Sequence, residues 1–380
     1  MRHLLLSVLL WQFLFISPLT VAADSPIADP QPTESDDLCT PDYQVTHLNT
    51  CPAFGPGAFA ERNRQFDLPA NLEPLATLPL KPLTPLLIHT YAKVTTPDTP
   101  VFASADDGAN GKVLRTLGKG YIYVSINNTV TAGGQEFIRI NNGEYVRRAD
   151  LSLTSTSEYQ GVALAQQPER PFAWVVRPFK PRLTPGGLEN PAAPQLTRYD
   201  IVQVYGKEHR GEYDWYLVGH NQWVEQRNLG IVQIDQPPTG VKGKWIAVNL
   251  FEQTMAVYED SRMVYASLVS TGLGAWPTRP GTYQIYKKLD NTNMSGAFAA
   301  DKSDYYFIED VPWVLYFDQS ISFHGTYWHD KYGFQQSHGC VNLSPKDSRW
   351  LYEWAGVGTY VYVYDPSGRT PTTPWTGGGP

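Results

Sequence analysis

A cysteine at position 340 stands in the run Ser337-His338-Gly339-Cys340-Val341-Asn342-Leu343, and sixteen residues earlier an imidazole, His324, stands in Ile321-Ser322-Phe323-His324-Gly325-Thr326. A thiol attacks as its thiolate, so acyl transfer at cysteine requires an imidazole close enough to take the proton and return it to a leaving amine. Sixteen residues are enough for the chain to leave a strand, cross a loop and come back to the strand's mouth. His338 is the rival base: in a strand its side chain would share a face with Cys340, whereas a turn at Gly339 would part them. A side chain at 339 would crowd the thiol and restrict the backbone there. His324, His329, His338 and Cys340 are zinc-ligand types, yet no second cysteine or carboxylate stands at ligand spacing, so no metal is expected. His329 and His220 are expected at the surface.

The rest of the chain puts that thiol in context. Met1, Arg2 and His3 precede an apolar run from Leu4 to Ile16, broken at Ser7 and Gln12, and small residues follow to Ala22 and Ala23. This pattern predicts an export signal over residues 1–23. An uncleaved membrane anchor is the alternative, the run falling just short of the roughly 20 residues that span a bilayer. Either places the remainder outside the cytoplasm. In an oxidising setting three cysteines divide into one bridge, Cys39 with Cys51, and one thiol left for use, Cys340. The formal net charge of -7 argues against sequence-independent binding to nucleic acid, which needs a basic patch.

Several elements must position the thiol. Residues 24–90 read as spacer and linker, ending in a Pro-Leu alternation that favours extended chain. Short period-two runs separated by glycine turns fill residues 91–155 and again 172–235. Glu136-Phe137 aligns with Asp214-Trp215, Tyr145-Val146 with Trp223-Val224, and Asp150-Leu151 with Asn228-Leu229, all at one constant offset. A duplicated small β-barrel is expected. These segments resemble bacterial SH3-like domains, and the resemblance implies binding to the cell wall or spacing of a catalytic unit.

Beyond the Gln236 to Gly240 linker, residues 241–366 are expected to form that unit. Trp245 to Leu250, Met255 to Tyr258 and Met263 to Ser270 read as the opening meander of a sheet with one buried face. Further strands are expected at Thr282 to Tyr286, Tyr305 to Ile308 and Val314 to Tyr316, and one from Ile321 should end at His324. The polar stretch Asn291 to Gly296 reads as a lid over a groove. Ser344 caps a helix with Pro345 in its first turn, and the charge of Asp347 favours the exposed amide groups there. Tyr360 to Tyr364 returns as a strand, and the Pro, Thr and Gly-rich residues 367–380 read as a disordered tail.

In the two runs around His324 and Cys340 the chain resembles the L,D-transpeptidase catalytic family, whose motif is a His, a gap of this length, then Ser or Thr, His, Gly, Cys, a hydrophobic residue, and Asn or Arg. The resemblance spans roughly residues 244–365. It extends to Val269-Ser270-Thr271-Gly272 and to Pro277-Thr278-Arg279-Pro280-Gly281-Thr282-Tyr283, which departs from the family's Thr-Pro-x-Gly turn by Arg279. It implies a mostly β fold, with an L,D-transpeptidase-like β-sandwich carrying a short helix, preceded by two SH3-like barrels.

The same resemblance implies the site. Cys340 attacks and His324 is the base, oriented through its second ring nitrogen by a backbone carbonyl in the Gly325 to Thr326 region. The amides of His338, Gly339 and Cys340 are candidates for an oxyanion hole, while Ser337 and Asn342 shape the site. Tyr283, Met294, Phe323, Tyr327 and Trp328 are candidate substrate contacts. The implied partners are peptidoglycan stem peptides. A donor tetrapeptide loses its terminal D-residue to give a thioester on Cys340, and an acceptor stem amine resolves it as a three-to-three crosslink, with no cofactor. Two alternatives stay open: water or a free amine as acceptor, giving a carboxypeptidase or exchange enzyme, and a non-catalytic wall-binding scaffold that works through its repeats.

Overall fold

The computed structural model describes residues 64–372 apart from Asp67, Asn141, Asn142, Phe298 and Ala300. The expected leader, the Cys39–Cys51 pair and the last eight residues lie outside the described residues.

A short strand β1 (Thr77–Leu78) precedes a first set of elements: β2 (Thr90–Val94), β3 (Pro100–Val101), α1 (Ala105–Ala109), β4 (Arg115–Thr116), β5 (Tyr121–Ile126), β6 (Asn128–Ala132), β7 (Gln135–Arg139), β8 (Tyr145–Arg147) and β9 (Leu151–Leu153). After β10 (Val162–Leu164) comes a second set: β11 (Phe172–Val175), β12 (Ile201–Gln203), β13 (Gly206–Arg210), β14 (Tyr213–Gly219), β15 (Gln222–Glu225) and β16 (Leu229–Val232). The two sets share a topology. β2 pairs with β5 and β9 as β11 pairs with β12 and β16, and β6-β7-β8 corresponds to β13-β14-β15. A turn of 3-10 helix precedes the last strand in each, at Arg148–Asp150 and Gln226–Asn228, separated by the same offset as the aligned sequence pairs. The sheets of both sets are open, and the first is merged with the unit that follows.

That unit comprises β17 (Lys244–Asn249), β18 (Thr254–Glu259), β19 (Arg262–Leu268), β20 (Gly281–Gln284), β21 (Lys287–Gly296), β22 (Tyr306–Asp318), β23 (Ile321–Gly325), β24 (Val341–Leu343), α2 (Pro345–Trp354) and β25 (Tyr360–Tyr364). Two seven-stranded sheets result. One runs β1-β10-β19-β18-β17-β25-β20, and the other β24-β23-β22-β5-β2-β9 with β21 also paired to β22. The core between them takes Ile246, Val248, Met255 and Val257 from the first sheet, Leu315, Phe317, Phe323, Val341 and Leu343 from the second, and Leu351 from α2.

The meander was expected to bury one face, but it buries both. Trp245, Ala247, Ala256, Tyr258 and Met263 point away from the central core and pack with Phe172, Trp174 and Val232 of the second set. A sheet covered on both sides selects near-continuous apolar runs, which is why Trp245 to Leu250 lacks a clean alternation. Polar groups fasten the same junction, where Ile231 N–H donates to the Glu252 carboxylate at 3.0 Å and Thr254 Oγ1 donates to the Ile231 carbonyl at 3.2 Å.

Two local expectations are corrected and a third is extended. The segments Tyr305 to Ile308 and Val314 to Tyr316 are one strand, β22, whose pairing with β21 shifts register between Thr292 and Met294. The lid expected at Asn291 to Gly296 is the end of β21, hydrogen-bonded along β22. Asp347 does follow the Ser344 cap at the start of α2, its amide donating to Ser344 Oγ at 3.0 Å. Its carboxylate, however, is fully buried beneath the helix, accepting from Gly161 N–H at 2.8 Å and from the Tyr265 and Ser267 hydroxyls at 2.6 Å each. Burial pushes that carboxyl above the usual range, and the donors pull against it.

Candidate active site

Strand alternation builds the site. In β23 the side chain of Phe323 enters the central core, so Ser322 and His324 share the opposite face. β24 lies parallel to β23 with Asn342 opposite His324, and Cys340 comes one residue before that strand begins. The thiol therefore arrives beside Ser322, with Ser322 Oγ 3.8 Å from Cys340 Sγ, and it donates to the Ser320 carbonyl, also at 3.8 Å. Ser322 was not singled out in the sequence; counting two residues back from His324 is the signal that would have found it.

The loop carrying the thiol is pinned at each residue. Ser337 Oγ donates to the Cys340 carbonyl at 2.5 Å and accepts from Gly339 N–H at 3.1 Å. Thr278 Oγ1 donates to the Gly339 carbonyl at 2.7 Å and accepts from Gly272 N–H at 3.0 Å, so the Thr278 turn fixes the loop from the other side. Gly339 has φ 116°, a conformation that excludes other residues on backbone grounds, while the nearest atom to an added Cβ is 3.4 Å away. The requirement for glycine is thus the turn itself. Of the three amides expected at an oxyanion hole, that of Gly339 is engaged by Ser337 Oγ. Arg279 closes the rim by donating to Asp318 Oδ2 at the end of β22, through Nε at 2.9 Å and a second nitrogen at 2.5 Å.

His324 is 3 % exposed, with Nδ1 3.4 Å from the Gly325 carbonyl. With Nδ1 carrying the proton toward that carbonyl, Nε2 is the basic nitrogen. Burial lowers its pKa to about 4, so the ring is neutral near neutral pH. Burial also raises the Cys340 thiol above its ordinary value, opposed by hydrogen bonds from the Ser322 backbone and side chain. Among the described residues no hydrogen bond joins His324 to Cys340. Both shifts favour the uncharged forms, a thiol at Cys340 and a neutral ring at His324. Gly325 serves packing, since an added Cβ would stand 2.5 Å from Ser348 Oγ of α2 and 2.9 Å from Pro312 Cγ.

The remaining candidates divide between site and core. His338 is sandwiched by Trp276 and Tyr306, with ring centroids 4.3 and 5.2 Å away. His329, expected at the surface, is partly buried instead, with Nε2 3.0 Å from Asn342 Nδ2. Its pKa falls to about 4 through burial first and the nearby His324 second. His220 is partly exposed, bonded at Nε2 to the Ala70 carbonyl at 3.1 Å. Trp328 is partly buried and stacks on His324 at 5.6 Å. Phe323 and Tyr327 have no exposed surface, so their burial replaces the substrate contact expected of them. Met294 and Tyr283 are partly buried at the edges of apolar clusters, and Tyr283 donates to the Arg279 carbonyl at 3.1 Å. Thr326 Oγ1 and Asn342 Oδ1 are buried without a hydrogen-bond partner. Among the described residues no group of three or more His, Cys, Asp or Glu side chains is arranged to hold a metal ion.

Residues 243–363 match the family model described as the L,D-transpeptidase catalytic domain, YkuD. The YciB protein of Bacillus subtilis (strain 168), named a putative L,D-transpeptidase, is 25% identical over 137 residues, covering 31% of this chain and 64% of its own length. An L,D-transpeptidase structure from Stackebrandtia nassauensis is 31% identical, covers 36% of this chain and 60% of its own, and overlays with a TM-score of 0.27. The catalytic domain of an E. faecium L,D-transpeptidase is 24% identical, covers 33% of this chain and 99% of its own, and has a TM-score of 0.30. The chain thus spans less than two thirds of the first two relatives. The family match encloses β17 to β24, both chemical runs and the turn at Thr278, so the likeness to the L,D-transpeptidase catalytic domain falls on the residues that build this site.

Proposed function

We propose that the protein is a peptidoglycan L,D-transpeptidase that forms three-to-three crosslinks through a thioester on Cys340. The observation that carries this reading is that, inside the matched domain, the parallel pairing of β23 with β24 brings Cys340, one residue before β24, to within 3.8 Å of Ser322 Oγ, two residues from His324 on the same face of β23. A donor tetrapeptide places the carbonyl of its L-centre at Sγ. The thiol swings from the Ser320 carbonyl, passes its proton to His324 Nε2 and adds to the carbonyl carbon, with the His338 and Cys340 amides receiving the oxyanion. Collapse breaks the peptide bond, and His324 returns the proton to the departing D-amino acid. The side-chain amine of a second stem then attacks the thioester, loses a proton to His324 and restores the thiol. The imidazole is neutral near neutral pH and so free to accept the proton, and bound substrate that offsets the desolvation of the ring would raise its basicity toward the range a general base needs.

The reading places the enzyme outside the cytoplasm, where its substrate lies. Among the described residues no helix is long and apolar enough to cross a membrane. The two strand sets, sharing one topology, act in this reading as SH3-like modules that hold the enzyme on the wall.

The test is to incubate purified protein with a tetrapeptide muropeptide and resolve the products by mass. Crosslinked dimer with loss of one D-residue is expected, along with an acyl adduct on Cys340 absent from C340A. Loss of the D-residue without dimer would assign water as acceptor. No adduct and no turnover would leave a wall-binding scaffold.

A further inference from the structure

Few polar contacts hold the His324 imidazole. The 3.4 Å separation between His324 Nδ1 and the Gly325 carbonyl lies at the weak end of hydrogen bonding. The ring plane is supported by aromatic packing instead: Trp328 stacks on it with centroids 5.6 Å apart and planes 28° apart. Trp328 is backed in turn by two rings. Tyr327 meets it edge-on at 5.0 Å and 89°, and Tyr123 lies at 6.5 Å and 47°. Tyr123 also touches Tyr327 at 6.2 Å.

Tyr123 does not belong to the matched domain. It sits on β5 of the first strand set, far upstream of His324 in the chain. Its place is nonetheless fixed from the catalytic side. β5 pairs in parallel with β22, with Tyr123 opposite Ile308. Two residues along, Ser125 N–H and Oγ donate to the buried Glu309 carboxylate at 3.0 and 3.2 Å. The Tyr327 hydroxyl donates to the Glu309 carbonyl at 2.6 Å, and Tyr91 of β2 stacks on Tyr327 at 3.6 Å and 14°.

We propose that Tyr123 is a positioning residue for His324: its ring backs Trp328, whose indole sets the plane of the imidazole. The first strand set is then part of the catalytic unit, completing the wall of rings behind the imidazole, in addition to any role at the cell wall. This inference rests on the reading of His324 as the base. Its chemistry is geometric. The Tyr123 ring is buried, 5 % exposed, so its loss is expected to misalign the proton transfer and leave substrate binding intact.

The experiment uses the full chain with Tyr123→Met, which keeps apolar volume without a flat ring, and Tyr123→Phe, which keeps the ring. Two readouts are taken: kcat and KM for D-residue release, and the NMR shift of the His324 ring protons, which the face of Trp328 moves upfield. For Y123M the expected result is a fall in kcat of about three- to tenfold, the range an aromatic contact of this kind supports, with KM unchanged. The His324 signals should move downfield in Y123M, and Y123F should restore both readouts. Wild-type kcat and wild-type His324 shifts in a folded Y123M would overturn the proposal. So would equal losses in Y123M and Y123F, or a loss carried in KM. If the wild type has no peptidoglycan activity, the reading of the function fails, while the ring-proton shifts still decide whether Tyr123 sets the imidazole.

Discussion

Ser322→Ala isolates the contribution of one hydroxyl to the reactivity of the thiol. Ser322 is fully buried, its Oγ is 3.8 Å from Cys340 Sγ, and its backbone and side-chain hydrogen bonds oppose the upward push of burial on the thiol. A hydrogen bond to a charged acceptor is worth about 1.5–3 kcal/mol, and about 1.4 kcal/mol corresponds to one pH unit. A contact this long belongs at the bottom of that range, and the backbone N–H remains in the variant. The thiol midpoint should therefore rise by about one unit, and the rate of thiolate alkylation near neutral pH should fall about tenfold. The assay is iodoacetamide alkylation across a pH series, followed at the peptide containing Cys340 so that Cys39 and Cys51 do not contribute. An unchanged midpoint in a folded variant would refute the argument that Ser322 prepares the nucleophile. A midpoint moved downward would show that desolvation, relieved by the small void, outweighs the lost hydroxyl.

Thr278→Val keeps shape but strips the hydroxyl that joins Gly272 N–H to the Gly339 carbonyl, leaving two buried groups unpaired at about 1–3 kcal/mol each. Urea denaturation should report a loss of about 2–6 kcal/mol, and Thr278→Ser should recover most of it. Glu252 is buried against the second strand set, and burial lifts its pKa from 4.5 to about 7. The folded chain therefore holds a proton there that the unfolded chain has released, and the stability this confers is present below pH 4.5 and lost as the pH rises to about 7. Glu252→Gln keeps an acceptor for Ile231 N–H and should flatten this decline, gaining at most about 3 kcal/mol above neutral pH, as thermal melts across that window would show.

The runs around Cys340 and His324 and the cap at Ser344 stand out in the sequence because each carries a short-range signature, and the strand expected from Ile321 to His324 forms as β23. What the sequence concealed is set by long-range partners. His329 looks like any polar loop residue until Asn342 is brought to its ring. Phe323 and Tyr327 flank the motif, and nothing in their spacing says that one enters the central core and the other lies under Tyr91. The Asn291 to Gly296 stretch is polar because that part of β21 is partly exposed, and polarity alone does not separate such a strand from a lid. The constant offset between aligned pairs predicted repeated elements, but not that β5 would pair with β22 and merge the first copy with a sheet of the matched domain.

The two copies of the repeat attach to their neighbour by different kinds of surface. The first offers a strand edge, β5 against β22, and the second offers a flat apolar face to Trp245 and Tyr258. The copies are consequently not interchangeable, despite their common pattern. Excising the first would bare a row of unsatisfied amides and carbonyls, inviting ribbon-like self-pairing, whereas excising the second would uncover a greasy plate prone to amorphous clumping.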